Sequence, residues 1–273
     1  MSTTSATGSS ITMPPSAQAD EPCAARPHPR CDKPYLSIVV PTYNEEGNIP
    51  LLAAALHAQL AKMKIESYEI IFVNDGSTDR SADEIKAEIA KDRRVRLISF
   101  KKNAGETAAN EGGIRNARGD VVVVMDCDLQ NDPRDLPALL SKIGEYDCVC
   151  GWRTNRGEGD GILRRISSRI ANFVRARLSG EKIEIHDSGC TYRAFRRECM
   201  KNVKFYRGMH RFIPTLLEIE GYKVTEVPVR NNPRRFGKSK YGVWNRVFAA
   251  SLDLLAVRWM RSRTIHWEVG EEA

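Results

Sequence analysis

Asp126 and Asp128 stand one residue apart directly after the apolar run Val-Val-Val-Val-Met of residues 121–125, and Gln130 follows two residues later. They sit where a strand ends and the chain turns, so both carboxylates can reach one ion. Hard divalent cations take oxygen ligands, and Mg2+ in particular is usually held by one or two carboxylates together with substrate phosphates. Gln130 adds a neutral oxygen. The competing reading of this pair by itself is ordinary turn chemistry, since aspartate favours strand ends.

What surrounds the pair depends on the elements that position it. From residue 35 onward, short apolar runs alternate with amphipathic stretches of helical period, the pattern of repeated βα units around a mainly parallel sheet. The runs predict strands over 36–40, 70–74, 95–99, 121–125 and 148–152, with helices near 49–63, 82–91, 107–117 and 136–143. In an open α/β sheet, ligands collect beyond the carboxyl ends of the strands. The segments at those ends are PTYNEEGN (41–48), DGSTD (75–79), DCDLQNDP (126–133) and RTNRGEGDG (153–161). Each alone reads as a turn or a helix cap, with Asn44 and Asn48 as caps and Asp132 capping a helix that has Pro133 at its first position. Together they converge polar groups on one sheet edge.

The ordered set PTYNEEGN, VNDGSTD, NAGETAANEGG, DCDLQNDP, DSGCTYR and RRFGKSKYG resembles the family-two inverting glycosyltransferases of the A-type fold, most of all their polyprenyl-phosphate branch. The resemblance runs from about residue 35 to 263. It implies a Rossmann-like, mainly parallel sheet flanked by helices, and transfer of a hexose from a nucleotide sugar, GDP-mannose-like or UDP-glucose-like, to a dolichyl or undecaprenyl phosphate. It further implies that Pro41, Tyr43 and Glu45 hold the nucleotide and that Val73 and Asp75 wall the base and ribose. Asp126, Asp128 and Gln130 would hold Mg2+ or Mn2+ with the diphosphate, Asp128 being catalytic through that ion. Arg153 would be a donor-side basic residue, and Arg234 and Lys240 would belong to a basic loop closing over the phosphates. Asp187 matches an aspartate near the acceptor, acting as base or orienting Arg193. Cys127 departs from the usual small residue between the aspartates, and two membrane-spanning helices common in that branch have no counterpart in this sequence.

A polyprenyl phosphate acceptor is largely dianionic at neutral pH and already a nucleophile, so a general base is less necessary than for a sugar hydroxyl. Transfer to a glycan hydroxyl and a non-catalytic nucleotide or membrane binding module are the alternatives. His210, in GMHRFIP, reads as a packed or surface residue.

Composition sets the remaining bounds. The net charge of +7 over 273 residues suits an anionic partner. Seven cysteines lack paired CxxC spacing, and zinc would need ligands that Cys148 and Cys150 do not have nearby. Residues 1–33 read as a disordered tail without signal-peptide character, 34–241 as the catalytic domain, and 242–273 as an amphipathic helix and tail. No run approaches the length of an apolar span. Two basic amphipathic stretches, 161–180 and 242–263, could each pack on the sheet or meet a membrane surface; Arg258, Arg261 and Arg263 favour the interface for the second, which predicts a peripheral protein on the cytoplasmic face of the membrane, retained by its lipid acceptor or a membrane-protein partner. Nucleic acid is disfavoured because no aromatic stacking platform accompanies the arginines, and a dinucleotide-binding dehydrogenase because no GxGxxG follows the first strand.

Overall fold

The structure is a computed structural model that describes residues 35–154, 186–187, 189–233 and 243–265. Strands β1 (Leu36–Thr42), β2 (Tyr68–Asn74), β3 (Val95–Ser99) and β4 (Val121–Val124) form on the predicted apolar runs, joined by α1 (Asn48–Lys62), α2 (Ser81–Lys91) and α3 (Glu106–Asn116). A three-residue 3-10 turn and the short α4 (Leu136–Leu140) lead into β5 (Cys148–Arg153). Then come β6 (Arg193–Arg196), α5 (Ile213–Ile219), β7 (Val224–Val229) and α6 (Val243–Arg263). No helix among the described residues is long and apolar enough to cross a membrane.

The seven strands make one sheet in the order β3-β2-β1-β4-β6-β5-β7. All neighbours run parallel except β6, which lies antiparallel between β4 and β5. Strands β6 and β7 escape a reading by apolar runs for different reasons. The first is four residues long with arginine at both ends. The second carries Pro228, which is tolerated because β7 is the last strand of the sheet and pairs on one side only.

Both sheet faces are covered, so the strands are apolar on both sides. Ile38, Val40, Ile70, Phe72, Val121 and Val123 pack under α1 and α2 with Leu52, Leu56, Leu60 and Ile85. The intervening Val39, Ile71, Val73, Val122 and Val124 face α3, α5 and α6, where Ile114, Leu217 and Val257 cover them. At the amino ends of the strands, buried Glu69 accepts from Ser37 Oγ at 2.6 Å and from the Arg118 N–H at 2.7 Å, and pairs with Arg96. That network closes the end of the sheet away from the acidic turn.

Strand order reverses between β1 and β4. The chain moves outward from β1 through β2 to β3, then crosses back through α3 to lay β4 against the other side of β1. Helices on the two sides therefore diverge and leave a crevice beyond the carboxyl ends of β1 and β4, the place where open α/β sheets bind ligands. Helix α3 must lie close to the sheet for this crossing. A Cβ on Gly113 would stand 2.2 Å from Val39 Cγ1 and 3.0 Å from Val73 Cγ2. Gly113→Ala should therefore destabilise the protein by about 1–3 kcal/mol, the usual penalty of overpacking, despite alanine's better helix propensity. Urea unfolding monitored by circular dichroism measures this; an unchanged midpoint would show that α3 lifts off freely.

Candidate functional site

The loop after β1 is built by its neighbours. Asn44 takes a left-handed backbone, φ 52°, and is pinned on both sides: its N–H donates to Ser77 Oγ at 3.0 Å and its Oδ1 accepts from the Thr78 N–H at 2.8 Å. The Glu45 N–H donates to Ser81 Oγ at 2.9 Å, and its carboxylate accepts from Asn48 Nδ2 at 2.7 Å. Asp79 and Glu84 take the next two backbone N–H groups. Pro41, Tyr43 and Glu45 are thereby held half-buried along the mouth of the crevice.

Asp75 is buried, and its carboxylate accepts from the N–H groups of Ala104 and Gly105 at 2.7 and 2.9 Å and from Asn103 Nδ2 at 2.8 Å. It thus shapes the turn that starts α3. Val73 has no exposed surface and packs beneath the same helix. The two residues expected to wall a base and ribose are thus buried at the carboxyl end of β2, against α3 and the turn before it.

The acidic turn follows from strand alternation. Val121, Val123, Met125 and Cys127 all enter the core beneath α1, which leaves Asp126 and Asp128 to continue the opposite side. Cys127 fills space there that a smaller residue would leave open. Leu129 then takes φ 63°, a left-handed conformation that costs a non-glycine residue about 1–3 kcal/mol. The turn is closed by the Gln130 N–H on Asp128 Oδ1 at 3.0 Å. The Asp126 N–H donates to Asn131 Oδ1 at 2.9 Å, and Asp126 Oδ2 accepts from Thr191 Oγ1 at 2.6 Å. Burial first, then the charges of Glu106 and Asp128, push the Asp126 carboxyl up to about 7, against the pull of Thr191 and Arg153.

Such crowding suits a cation. Among the described residues no group of three or more His, Cys, Asp or Glu side chains forms a metal cage. Two carboxylates with a neighbouring amide instead fit Mg2+ or Mn2+, ions that complete their shell with waters and phosphate oxygens. Asp126, Asp128 and Gln130 are the residues that would hold it. The Gln130 carbonyl also accepts the Asn232 N–H at 3.0 Å, Asn232 Nδ2 donates to Asp132 at 3.2 Å, and the Arg230 N–H donates to Asp135 at 2.7 Å. The chain entering RRFGKSKYG is thus stitched to the acidic turn; Arg234 and Lys240 themselves lie outside the described residues. Asp132 is the cap that the sequence suggests, accepting the Arg134 N–H at 2.9 Å.

Arg153, at the end of β5, grips Asp187 through Nε at 2.6 Å and Nη2 at 3.0 Å; Asp187 is buried and Arg153 is largely covered. The sequence suggested Asp187 as a base or as the orienter of Arg193. Its bidentate partner is Arg153, whereas Arg193 sends Nη1 to the His210 carbonyl at 2.6 Å. Glu226 supports this corner by accepting the N–H groups of His186 and Asp187. Thr191 and Asn131, which fix Asp126, were not singled out in the sequence although both lie inside recognised motifs; single uncharged polar residues carry no spacing signal of their own. The stretch 161–180, read as basic and amphipathic, lies outside the described residues.

The model of the Glycosyl transferase family 2 matches residues 37–204. A dodecaprenyl-phosphate galacturonate synthase of Rhizobium johnstonii is 37% identical over 227 residues, covering 81% of this chain and 66% of that protein. An undecaprenyl-phosphate 4-deoxy-4-formamido-L-arabinose transferase of Shewanella sediminis is 37% identical over 213 residues, covering 77% and 63%. The chain thus spans slightly less than two thirds of the length of these relatives. Among solved structures, glucosyl-3-phosphoglycerate synthase from Mycobacterium tuberculosis superposes with a TM-score of 0.61 at 19% identity, covering 86% of this chain and 81% of that one. A mannosyltransferase from Pyrobaculum calidifontis, solved with GDP-Man and Mn2+, gives 0.59 at 18% identity, covering 89% and 72%. At these identities the likeness is one of fold.

The largely covered Arg153–Asp187 pair generates a direct test. Removing either partner leaves the other charge buried, so Arg153→Ala and Asp187→Ala should each cost about 3–5 kcal/mol of stability, and the double variant should cost less than their sum. Denaturant unfolding of the four proteins checks this; strict additivity would show that the two side chains do not interact in solution.

Proposed function

The chain belongs to glycosyl transferase family 2, and on that premise we propose that it transfers a sugar from a nucleotide diphosphate donor to a polyprenyl phosphate, with inversion at the anomeric carbon. The observation that carries this reading is the carboxylate pair Asp126 and Asp128 at the reversal of strand order, beside the hydrogen-bonded loop that follows β1. The relatives named for dodecaprenyl and undecaprenyl phosphate sugars supply the acceptor class.

In this reading Pro41, Tyr43 and Glu45 bind the nucleotide from the β1 side. Asp126, Asp128 and Gln130 would hold Mg2+ or Mn2+, which when bound would supply positive charge to the diphosphate leaving group. Arg234 and Lys240 add positive charge over the same phosphates. Arg153 commits Nε and Nη2 to Asp187 and turns its Nη1 edge to a phosphate oxygen; the fork holds the guanidinium in one orientation. Asp187 accordingly acts as a positioning residue. The acceptor phosphate is itself the nucleophile, so no side chain has to take a proton before attack, and approach opposite the diphosphate gives inversion.

Membrane contact is assigned to α6. Its inner side buries Leu254 and Val257, while Arg211 and Glu218 pair with Asp253 and Arg261. This part of the helix belongs to the core. Its outer side exposes Leu252, Leu255 and Trp259 in one helical stripe, flanked by exposed Arg258 and Arg263. A stripe of that kind fits an anionic lipid surface, where each basic residue contributes about 1 kcal/mol.

The test of the reading is incubation with uridine and guanosine diphosphate hexoses, Mg2+ or Mn2+, and undecaprenyl or dolichyl phosphate, with mass spectrometry of the lipid fraction. A lipid-linked monosaccharide of inverted configuration is expected. Asp128→Asn should lower turnover at least about 100-fold with an unchanged melting temperature. Full turnover in excess chelator, or no lipid-linked product from any donor, would sink the proposal. For α6, the combined change of Leu252, Leu255 and Trp259 to serine should abolish co-sedimentation with anionic vesicles, and binding by the parent protein should weaken as salt shortens the Debye length below about 8 Å. Binding indifferent to both would remove the helix from the membrane.

A further inference from the structure

Residues 201–207, Lys-Asn-Val-Lys-Phe-Tyr-Arg, link the 3-10 turn Arg197–Met200 to the 3-10 turn Met209–Phe212. The loop is fastened along α3. At the last turn of that helix, Arg115 donates through Nη1 to the carbonyls of Met200 and Lys201 at 2.8 and 3.1 Å, and through Nη2 to that of Val203 at 2.6 Å. The same guanidinium lies 5.8 Å over the Phe205 ring. At the first turn of α3, Thr107 Oγ1 accepts the Gly208 N–H at 3.0 Å. Val203 is buried and Phe205 packs against the core, which leaves Lys201, Lys204, Tyr206 and Arg207 exposed on a backbone held at both ends.

The same segment abuts α6. Gly208 takes φ 89°, and a Cβ there would stand 2.3 Å from Asp253 Oδ2. Arg211 Nη2 lies 3.7 Å from that oxygen. At 3.6 residues per turn, Asp253 sits on the flank of α6, between buried Val257 and exposed Leu252. Tyr206, whose carbonyl accepts the Met209 N–H at 2.9 Å, is 51% exposed, a large ring left out of the core beside the outer stripe of α6. The nearest acidic residue in sequence, Glu198, lies 3.5 Å from Arg196 Nε, so the loop presents net positive charge.

We propose that residues 201–207 are a second membrane contact, with Lys201, Lys204 and Arg207 on anionic lipid headgroups and Tyr206 at the headgroup boundary, so that the loop and α6 rest on one bilayer. The inference rests on the assignment of α6 to the membrane in the proposed function and adds an orientation to it. Lysine and arginine near an anionic leaflet are attracted to it, and a tyrosine buries its ring at the boundary while its hydroxyl stays wet. An acidic protein would meet the same charges, but the apolar stripe of α6 continues the surface, and a bilayer takes both. A single helix can roll about its axis on a membrane; a second contact on its flank stops the roll. The Gly208 end of the loop meets the first turn of α3, which starts at the crevice end of the sheet. The seated protein therefore holds the crevice mouth near the plane of the lipid phosphates.

The test is co-sedimentation of the full chain with phosphatidylcholine vesicles, with and without phosphatidylglycerol. The parent protein should bind the anionic vesicles. The double variant Lys204→Glu/Arg207→Glu should lower the partition coefficient at least about tenfold, and Tyr206→Ser should lower it several-fold at low and high salt alike. Lys62→Glu/Lys86→Glu makes the same charge change on α1 and α2, across the sheet, and should alter binding less than about twofold. Melting curves by circular dichroism, unchanged in every variant, show that the fold is kept. A loop variant that binds as the parent does, or a loss matched by the α1 and α2 variant, overturns the loop contact and leaves α6 and the transferase reading standing. A parent that binds no vesicle overturns the loop and α6 assignments together, while product formation in detergent decides the transferase reading separately.

Discussion

Electrostatic crowding at the carboxyl end of β4 is the constraint around which the rest of the structure is arranged. Asp126 is raised to about 7 by its own burial and by the charges of Glu106 and Asp128. A fold does not gather carboxylates in that way for stability, because each desolvated charge works against folding. The surrounding groups hold the geometry: Thr191 and Asn131 fix Asp126, and the strained Leu129 turn aims Asp128. Strain of this kind persists only where neighbours over-determine it. In the proposed function, the reward is the binding of a cation with its diphosphate.

The scaffold supplies that over-determination from both directions. On one side, α3 sits so close to β1 and β2 that Gly113 has no room for a methyl group, and the turn before it is folded around the Asp75 carboxylate. On the other side, residues 230–232 are hydrogen-bonded to the acidic turn. Loop, turn and helix start therefore meet at one point although they lie far apart in sequence. Catalytic sites commonly take this form, with mobile chemistry on loops and a rigid sheet beneath.

Much of this was legible in the sequence, and what was not has identifiable causes. The four parallel strands and α1 to α3 read directly because continuous apolar runs mark strands buried on both faces. Strand β6 did not, since its Arg-Ala-Phe-Arg has no run to see, and β7 hides behind Pro228. The acidic pair and the loop after β1 were found by spacing and by position after strands. Partner choice was not: whether Asp187 engages Arg153 or Arg193 depends on how β5 and β6 pair, which no local pattern encodes. His210 reads from the sequence as a packed or surface residue; it is packed, and its contact with Thr107, about a hundred residues away, could emerge only from the fold.

The central claim is that the ends of β1 and β4 form one site for a cation and a nucleoside diphosphate. The most direct measurement is anomalous diffraction from crystals of this protein grown with Mn2+ and a nucleoside diphosphate. The account predicts a single strong Mn2+ peak between the diphosphate and the acidic turn, about 2.0–2.3 Å from a carboxylate oxygen of Asp128 or Asp126. A diphosphate bound with no Mn2+ at that turn, or Mn2+ bound only elsewhere on the molecule, would contradict it.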